Sequence, residues 1–227
     1  MTIILGWDVA QTTDSSVIAV IEYDGNPPMY WVRRIVKLQK GMPYDAQVRE
    51  VRTLFFEYHN PRLIIDRTGV GLPICDMIVA GGLQPIQVSL TAGDIMNKPE
   101  PGKINLPKKD MVSSLTRCIQ ERRIKVTRDC ENAALFRTEL KAFQLKVSAS
   151  GHNTYNAAPG SHDDTITAIG LCLWWGDKGI GHNGPQFVNP IVSKKPPSLN
   201  RAIPHSMTVK PAKYPTLPCG DGRHGFM

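Results

Sequence analysis

No apolar run in this chain of 227 residues reaches the roughly 18 residues that a membrane-spanning helix needs. The short apolar stretch at the N-terminus has no basic region ahead of it. The protein is therefore expected to be soluble, unexported and cytoplasmic, with no membrane partner. Cysteine is sparse: Cys75, Cys118, Cys130, Cys172 and Cys219 are odd in number, far apart, and form no C-x-x-C pair. The histidines show no paired spacing either. These absences argue against a structural zinc site and fit a reducing cytosol. Acidic residues are outnumbered, 20 against 27 Lys and Arg, for a formal charge of +7. That sign is compatible with a nucleic-acid partner without singling one out. Hydrophobic residues make up 41% of the chain, enough for a sizeable core.

What is present is organised around Ile3-Ile4-Leu5-Gly6-Trp7-Asp8. An apolar run with β-branched residues ends in a carboxylate and is followed by small, turn-prone residues, as in a buried strand that delivers one acid to the edge of a cleft. A second strand, Leu63-Ile64-Ile65-Asp66, ends the same way. A third acidic cluster, His162-Asp163-Asp164, opens a helix spanning Thr165 to Trp175. Between the first two acids, Ser16 to Tyr23 and Met29 to Val36 read as strands separated by the turn formers Asp24 to Pro28, completing a three-stranded antiparallel meander. Residues Asp45 to His59 carry apolar side chains at spacings of three and four and predict an amphipathic helix.

Beyond Asp66, Gly69-Val70-Gly71 leads into a helix of about ten residues closed by Gly81-Gly82, and Pro85 to Leu90 reads as a further strand. Thr91 to Asp110, rich in proline and lysine, is expected to be a solvent-facing loop. Helices are expected around Met111 to Arg122 and Glu131 to Phe143, with the basic residues Arg117, Arg122, Arg123, Lys125 and Arg128 between and along them. Leu145 to Ser150 and Thr154 to Ala157 are expected to form a hairpin around Gly151-His152-Asn153. At Gly176 the composition changes. Residues 177 to 227 hold eight of the 18 prolines, six of the 19 glycines, and seven Lys and Arg against two Asp. The division expected is a folded domain of residues 1 to 176 and an extended or disordered basic tail of 177 to 227.

Three carboxylates from three distant elements suit a divalent metal site. Hard cations such as Mg2+ and Mn2+ take oxygen ligands, and two ions can together activate a water and stabilise the leaving oxygen of a phosphodiester. Asp8, Asp66, Asp163 and Asp164 would supply the ligands, with His162 able to orient a water or a carboxylate and Asp14 near the same cleft. Asp8 and Asp66 equally suit turn positions at strand ends. One of Asp163 and Asp164 is expected to serve as N-cap of the last helix rather than as a ligand.

Gly6-Trp7-Asp8-Val9-Ala10 with Asp14-Ser15, then Leu63 to Gly71, then Gly160-Ser161-His162-Asp163-Asp164, resemble in order and spacing the nuclease domain of the large terminase subunits of tailed bacteriophages. The resemblance spans residues 1 to 176. It implies an RNase H-like α/β fold, a central mixed sheet of an antiparallel meander plus parallel strands flanked by helices. It also implies an Mg2+- or Mn2+-dependent endonuclease that cuts concatemeric double-stranded DNA during genome packaging. By the same resemblance Asp8 and Asp66 are the first two metal ligands, and the His-Asp-Asp motif supplies the third. No Walker A loop is present: Asn97 to Ile104 contains Gly102-Lys103 but lacks the first glycine and the Ser/Thr. ATP hydrolysis would have to come from a partner, a separate packaging ATPase, with a small terminase subunit or a portal as further partners. Rival readings are a Holliday-junction resolvase with the same acids, a non-catalytic DNA-binding relative, and an actin-like or sugar-kinase ATPase, whose second phosphate loop is missing.

Overall fold

The structure, a computed structural model, describes residues 1–10, 15–58, 61–69, 71–149 and 163–179, with backbone alone at 144–149 and 178–179. Its centre is one eight-stranded sheet in the order β6-β7-β5-β4-β1-β2-β3-β8. Strands β1 (Thr2–Asp8), β2 (Val17–Asp24) and β3 (Met29–Lys37) form the expected antiparallel meander, and β4 (Arg62–Asp66) lies parallel to β1 on its other side. Strand β5 (Ile86–Thr91) continues in parallel beside β4. β1, β2 and β4 carry apolar residues on both faces and are buried on both, as expected of central strands covered by two helical layers.

Alternation divides the core. Leu5, Trp7, Ile18, Val20, Leu63 and Ile65 face helices α1 (Tyr44–Glu57) and α2 (Gly71–Ala80), which contribute Val48, Val51, Leu54, Ile74 and Ile78. Ile4, Val17, Ala19, Ile21, Ile64 and Val88 point the other way, towards α3 (Lys108–Gln120), α4 (Ala133–Ala149) and α5 (Asp164–Trp174). Helix α5 is buried along its whole length and lies directly on the sheet. That approach depends on Gly6. A methyl group there would stand 2.2 Å from the carbonyl oxygen of Ala168 and 2.6 Å from the Cys172 sulfur. Gly6→Ala is accordingly expected to lift α5 off β1 and cost about 3 kcal/mol or more, the upper end for overpacking. Thermal unfolding of the purified variant measures this, and an unchanged midpoint would contradict the close contact.

Three sequence expectations are corrected. Thr91 to Asp110 is no simple loop: β6 (Asn97–Glu100) and β7 (Lys103–Pro107) form a hairpin there, and β7 pairs in parallel with β5. Ile104 and Leu106 alternate into the core and drive this, while every residue of edge strand β6 is exposed, where Pro99 is tolerated. Helix α4 continues to Ala149, so Leu145 to Ala149 is helix rather than a hairpin strand, a reminder that short apolar runs fit either period. The rest of that expected hairpin lies outside the described residues. The basic stretch after α3 contains a short edge strand, β8 (Ile124–Val126), parallel to β3.

The same stretch also buries one of its basic residues. Arg123 is 6% exposed, and its guanidinium bonds Asp177 (Nη1 to Oδ1, 2.7 Å; Nη2 to Oδ2, 3.1 Å), Glu121 (2.6 Å) and the Pro28 carbonyl (3.1 Å). Asp177 sits in a π-helical turn, Trp175–Gly179, that follows α5; it also accepts bonds from Tyr30 Oη (3.0 Å) and from Arg117. Trp174 is core, and Trp175 packs half-buried against it. The four described cysteines are buried and unbridged; Cys219 lies outside the described residues. No helix among the described residues is long and apolar enough to cross a membrane.

Candidate metal centre

Asp8 and Asp66 end neighbouring parallel strands. Trp7 pairs with Ile65 in the register, so the two acids stand one step beyond, at the same sheet edge and on neighbouring strands, whose spacing is about 4.8 Å. Asp8 lies two residues beyond Gly6 and four beyond Ile4, and Asp66 two beyond Ile64, so both fall on the α5 face of the sheet. Gly6 touches α5 at Ala168. Two residues further along β1 lies Asp8, about 6.6 Å on, and one helical turn before Ala168 lies Asp164, about 6 Å back. The N-terminus of α5 is thereby carried over the strand ends.

The electrostatics agree with this placement. The Asp8 carboxyl is pushed well above the usual carboxylate range, first by burial and then by the charges of Asp66, Asp164 and Asp163. Asp66, 8% exposed, is also raised by burial, with its bonds from Thr68 and the charge of Lys108 opposing the shift. All four expected acids therefore converge. Among the described residues no group of three or more His, Cys, Asp or Glu is drawn together closely enough to hold a metal ion as the side chains stand. His162 and Asp14 lie outside the described residues.

Local bonds orient Asp66 and brace the chain beyond Asp8. Asp66 Oδ1 accepts the Thr68 N–H (2.8 Å), and Thr68 Oγ1 accepts the Leu90 N–H (2.9 Å), tying the end of β4 to β5. A methyl at Gly71 would stand 2.2 Å from the Asp66 carbonyl oxygen, so α2 begins hard against this acid's backbone. The chain just after Asp8 is pinned at Ala10: its N–H donates to Ser16 Oγ (2.8 Å), and its carbonyl accepts from Ser16 Oγ and from Gln47 of α1.

Two residues of this region escaped sequence reasoning. Lys108, expected in a solvent-facing loop, opens α3 at the end of β7, and its ammonium lies 3.0 Å from Asp163 Oδ2. Its charge lowers the carboxyls of both Asp8 and Asp66 and offsets part of the repulsion. The alternation Ile104-Asn105-Leu106 before it was the available signal. Glu139, 6% exposed on α4, accepts the Thr165 N–H (2.9 Å) and the Thr165 hydroxyl at the start of α5. Nothing local marked Glu139. Asp163 occupies the N-cap position of α5 but makes no side-chain capping bond, contrary to the expected capping role.

A single mixed sheet of antiparallel and parallel strands, covered by helices, is the RNase H-like fold of terminase nuclease domains. The chain is similar to the large terminase subunit of Thermus virus P23-45, 24% identical over 169 residues, covering 74% of this chain and 30% of that protein. The corresponding subunit of Thermus phage G20c is 23% identical over 167 residues, again 74% and 30%. The chain thus spans less than a third of the length of these curated relatives. Among solved structures it resembles the large terminase nuclease of phage G20c with bound magnesium, at 21% identity and TM-score 0.51, covering 76% of this chain and 80% of that one. The human cytomegalovirus terminase nuclease domain shares the fold at 8% identity and TM-score 0.50, covering 78% and 84%. No family model matches the chain.

Proposed function

We propose that this protein is an endodeoxyribonuclease of the terminase type, hydrolysing phosphodiester bonds of double-stranded DNA with Mg2+ or Mn2+. The observation that carries the reading is the convergence of Asp8, Asp66, Asp163 and Asp164 from β1, β4 and the start of α5, with Asp8 disfavoured as an anion first by burial and then by these neighbours. The donor set fits the group: carboxylate oxygens suit hard divalent cations, and mutually repelling carboxylates favour a cation among them. Asp8, Asp66 and the Asp163/Asp164 pair would hold two such ions, whose bound chemistry is to activate a water and stabilise the leaving oxygen. Lys108 offsets acidic charge beside Asp163 and adds a cation where a phosphate would approach. His162 is proposed to orient a water or carboxylate beside these ligands.

The known phage relatives suggest the setting: the cytoplasm of an infected host, with ATP hydrolysis and DNA delivery from a packaging ATPase, small terminase subunit or portal. Cleavage of linear, supercoiled and four-way-junction DNA by the purified chain in Mn2+, Mg2+ and EDTA tests the reading. Metal-dependent cutting of ordinary duplex is expected. Selective junction cutting would favour a resolvase, and a chain that neither cuts nor binds Mn2+ would overturn the proposal.

The Pro/Gly-rich basic tail, residues 177 to 227, is proposed to add nonspecific backbone contacts. Because Asp177 bonds Arg123 within the fold, a truncation that tests the tail ends after Gly179. It removes six Lys and Arg. Residues 1 to 179 are expected to keep the full-length melting temperature but to bind duplex with a shallower salt dependence, losing about 0.9 in the log–log slope per phosphate contact removed. An unchanged slope would remove the tail from DNA binding.

A further inference from the structure

We propose that Glu139 is a positioning residue for the acidic cluster: by capping α5 from a neighbouring helix it releases the Asp163 carboxylate from capping duty and leaves it to the metal centre. The inference rests on the metal-centre reading above.

A helix opening has orphan N–H groups, and an aspartate at the N-cap ordinarily turns its side chain back onto the N–H two or three residues on. With Asp163 at the N-cap of α5, the first such donor is the N–H of Thr165. That donor is already taken by Glu139 Oε2 at 2.9 Å, and the Thr165 hydroxyl donates to the same oxygen. Asp163 makes no capping bond of its own; its Oδ2 meets the Lys108 ammonium at 3.0 Å instead, and its charge acts on Asp8. Glu139 reaches this point from 26 residues earlier in the chain and is 6% exposed. Burial raises the Glu139 carboxyl, and the bonds from Thr165 and the backbone of Ile166, with the charge of Lys37, oppose that shift, so its bonding is directed at the helix end. A buried carboxylate thus satisfies a helix-end N–H that a local aspartate could have satisfied, and the Thr165 hydroxyl with it. Without Glu139 the freed Thr165 N–H would draw Asp163 back onto the helix and away from Asp8.

Direct Mn2+ binding to the full chain, by calorimetry or by electron paramagnetic resonance of free Mn2+, tests this. Glu139→Ala is expected to weaken Mn2+ binding about tenfold or more, the range for removing a group that orients a ligand. Glu139→Gln, which keeps an acceptor oxygen, should bind within about threefold of wild type. Thr165→Val, isosteric and without the hydroxyl, should show a smaller loss and stands in if Glu139→Ala does not fold. In an Asp163→Asn background, Glu139→Ala should cost no further affinity, because no carboxylate remains to be misplaced; a merely structural role would cost the same in both backgrounds. Wild-type affinity in Glu139→Ala, or an equal loss in the Asp163→Asn background, would overturn the inference. If the wild-type chain itself binds no Mn2+, the metal-centre reading fails first and the two failures are told apart.

Discussion

Asp8→Asn is expected to abolish DNA cleavage, by at least about a thousandfold or some 4 kcal/mol of transition-state stabilisation, and at the same time to make the metal-free protein more stable. The two effects have one cause. Burial and the charges of Asp66, Asp164 and Asp163 raise the native Asp8 carboxyl well above its usual value, so above the ordinary aspartate range the fold either holds an anion in a place that disfavours it or must keep the group protonated, and either costs stability. Asparagine removes that charge and keeps the shape. Because the native carboxyl is raised, the folded state binds its proton more readily than the unfolded chain does. The wild-type penalty is therefore complete above the raised native value, shrinks as pH falls below it, and is gone below the ordinary aspartate value near 3.9. In EDTA the melting temperature of Asp8→Asn should exceed that of wild type at pH 8, and the difference should close near pH 4. Adding Mn2+ should raise the wild-type midpoint and leave the variant nearly unmoved, since only a native state that binds the ion gains from it. Wild-type cleavage in the variant, or a variant less stable than wild type in EDTA, would contradict the assignment of Asp8.

Asp177→Ala is expected to be the most destabilising single substitution outside the sheet. Asp177 and Arg123 are buried partners, with side chains 4% and 7% exposed, and Asp177 also takes bonds from Tyr30 and Arg117. Removing one member of such a pair leaves the other buried without its charge, at a cost of about 3–5 kcal/mol, or about 10 °C in melting temperature for a chain of this size. A chain ending at Gly176 should behave the same way. Burial alone would raise the Asp177 carboxyl, but the bonds from Arg123, Arg117 and Tyr30 outweigh it and hold the group below the usual range. Its contribution is therefore complete above the ordinary aspartate value and is lost as pH falls through the lower native value. The gap between wild type and Asp177→Ala should narrow below about pH 4. Replacing both partners, Arg123→Met with Asp177→Leu, should recover much of the loss, because no unpaired charge remains. A single variant with the wild-type midpoint would show that the pair contributes nothing.

The two effects pull in opposite directions and separate the two uses of buried charge in this fold. Around Asp8 the chain gathers like charges and accepts instability where a cation is proposed to bind. Around Asp177 it satisfies a buried carboxylate with two arginines and a tyrosine and holds the end of α5 against β3 and α3. An activity loss from Asp177→Ala that is reversed by lowering the temperature would therefore report unfolding rather than a damaged site.

Much of the architecture could be read from local pattern. The β-branched runs at Ile3 to Asp8, Val17 to Tyr23 and Leu63 to Asp66 became central strands because a run apolar on both faces is stable in a sheet only when covered on both sides. The spacing of Val48, Val51, Leu54 and Phe55 became α1, and Gly81-Gly82 closed α2, with Gly82 at a positive φ. Asp8, Asp66, Asp163 and Asp164 stood out because each ended or opened such an element. These are signals carried by residues near one another in sequence. What only tertiary structure decided lies in pairings between residues far apart. Lys108 meets Asp163 across 55 positions, Arg123 meets Asp177 across 54, and Glu139 meets Thr165 across 26. The edge pairing of β8 on β3 and of β7 on β5 belongs to the same group. A lysine in a loop-like segment, an arginine in a basic run and a glutamate on a helix carry no local mark of their partners, because the energy that selects them exists only once the sheet has brought α3, α4 and α5 to one face.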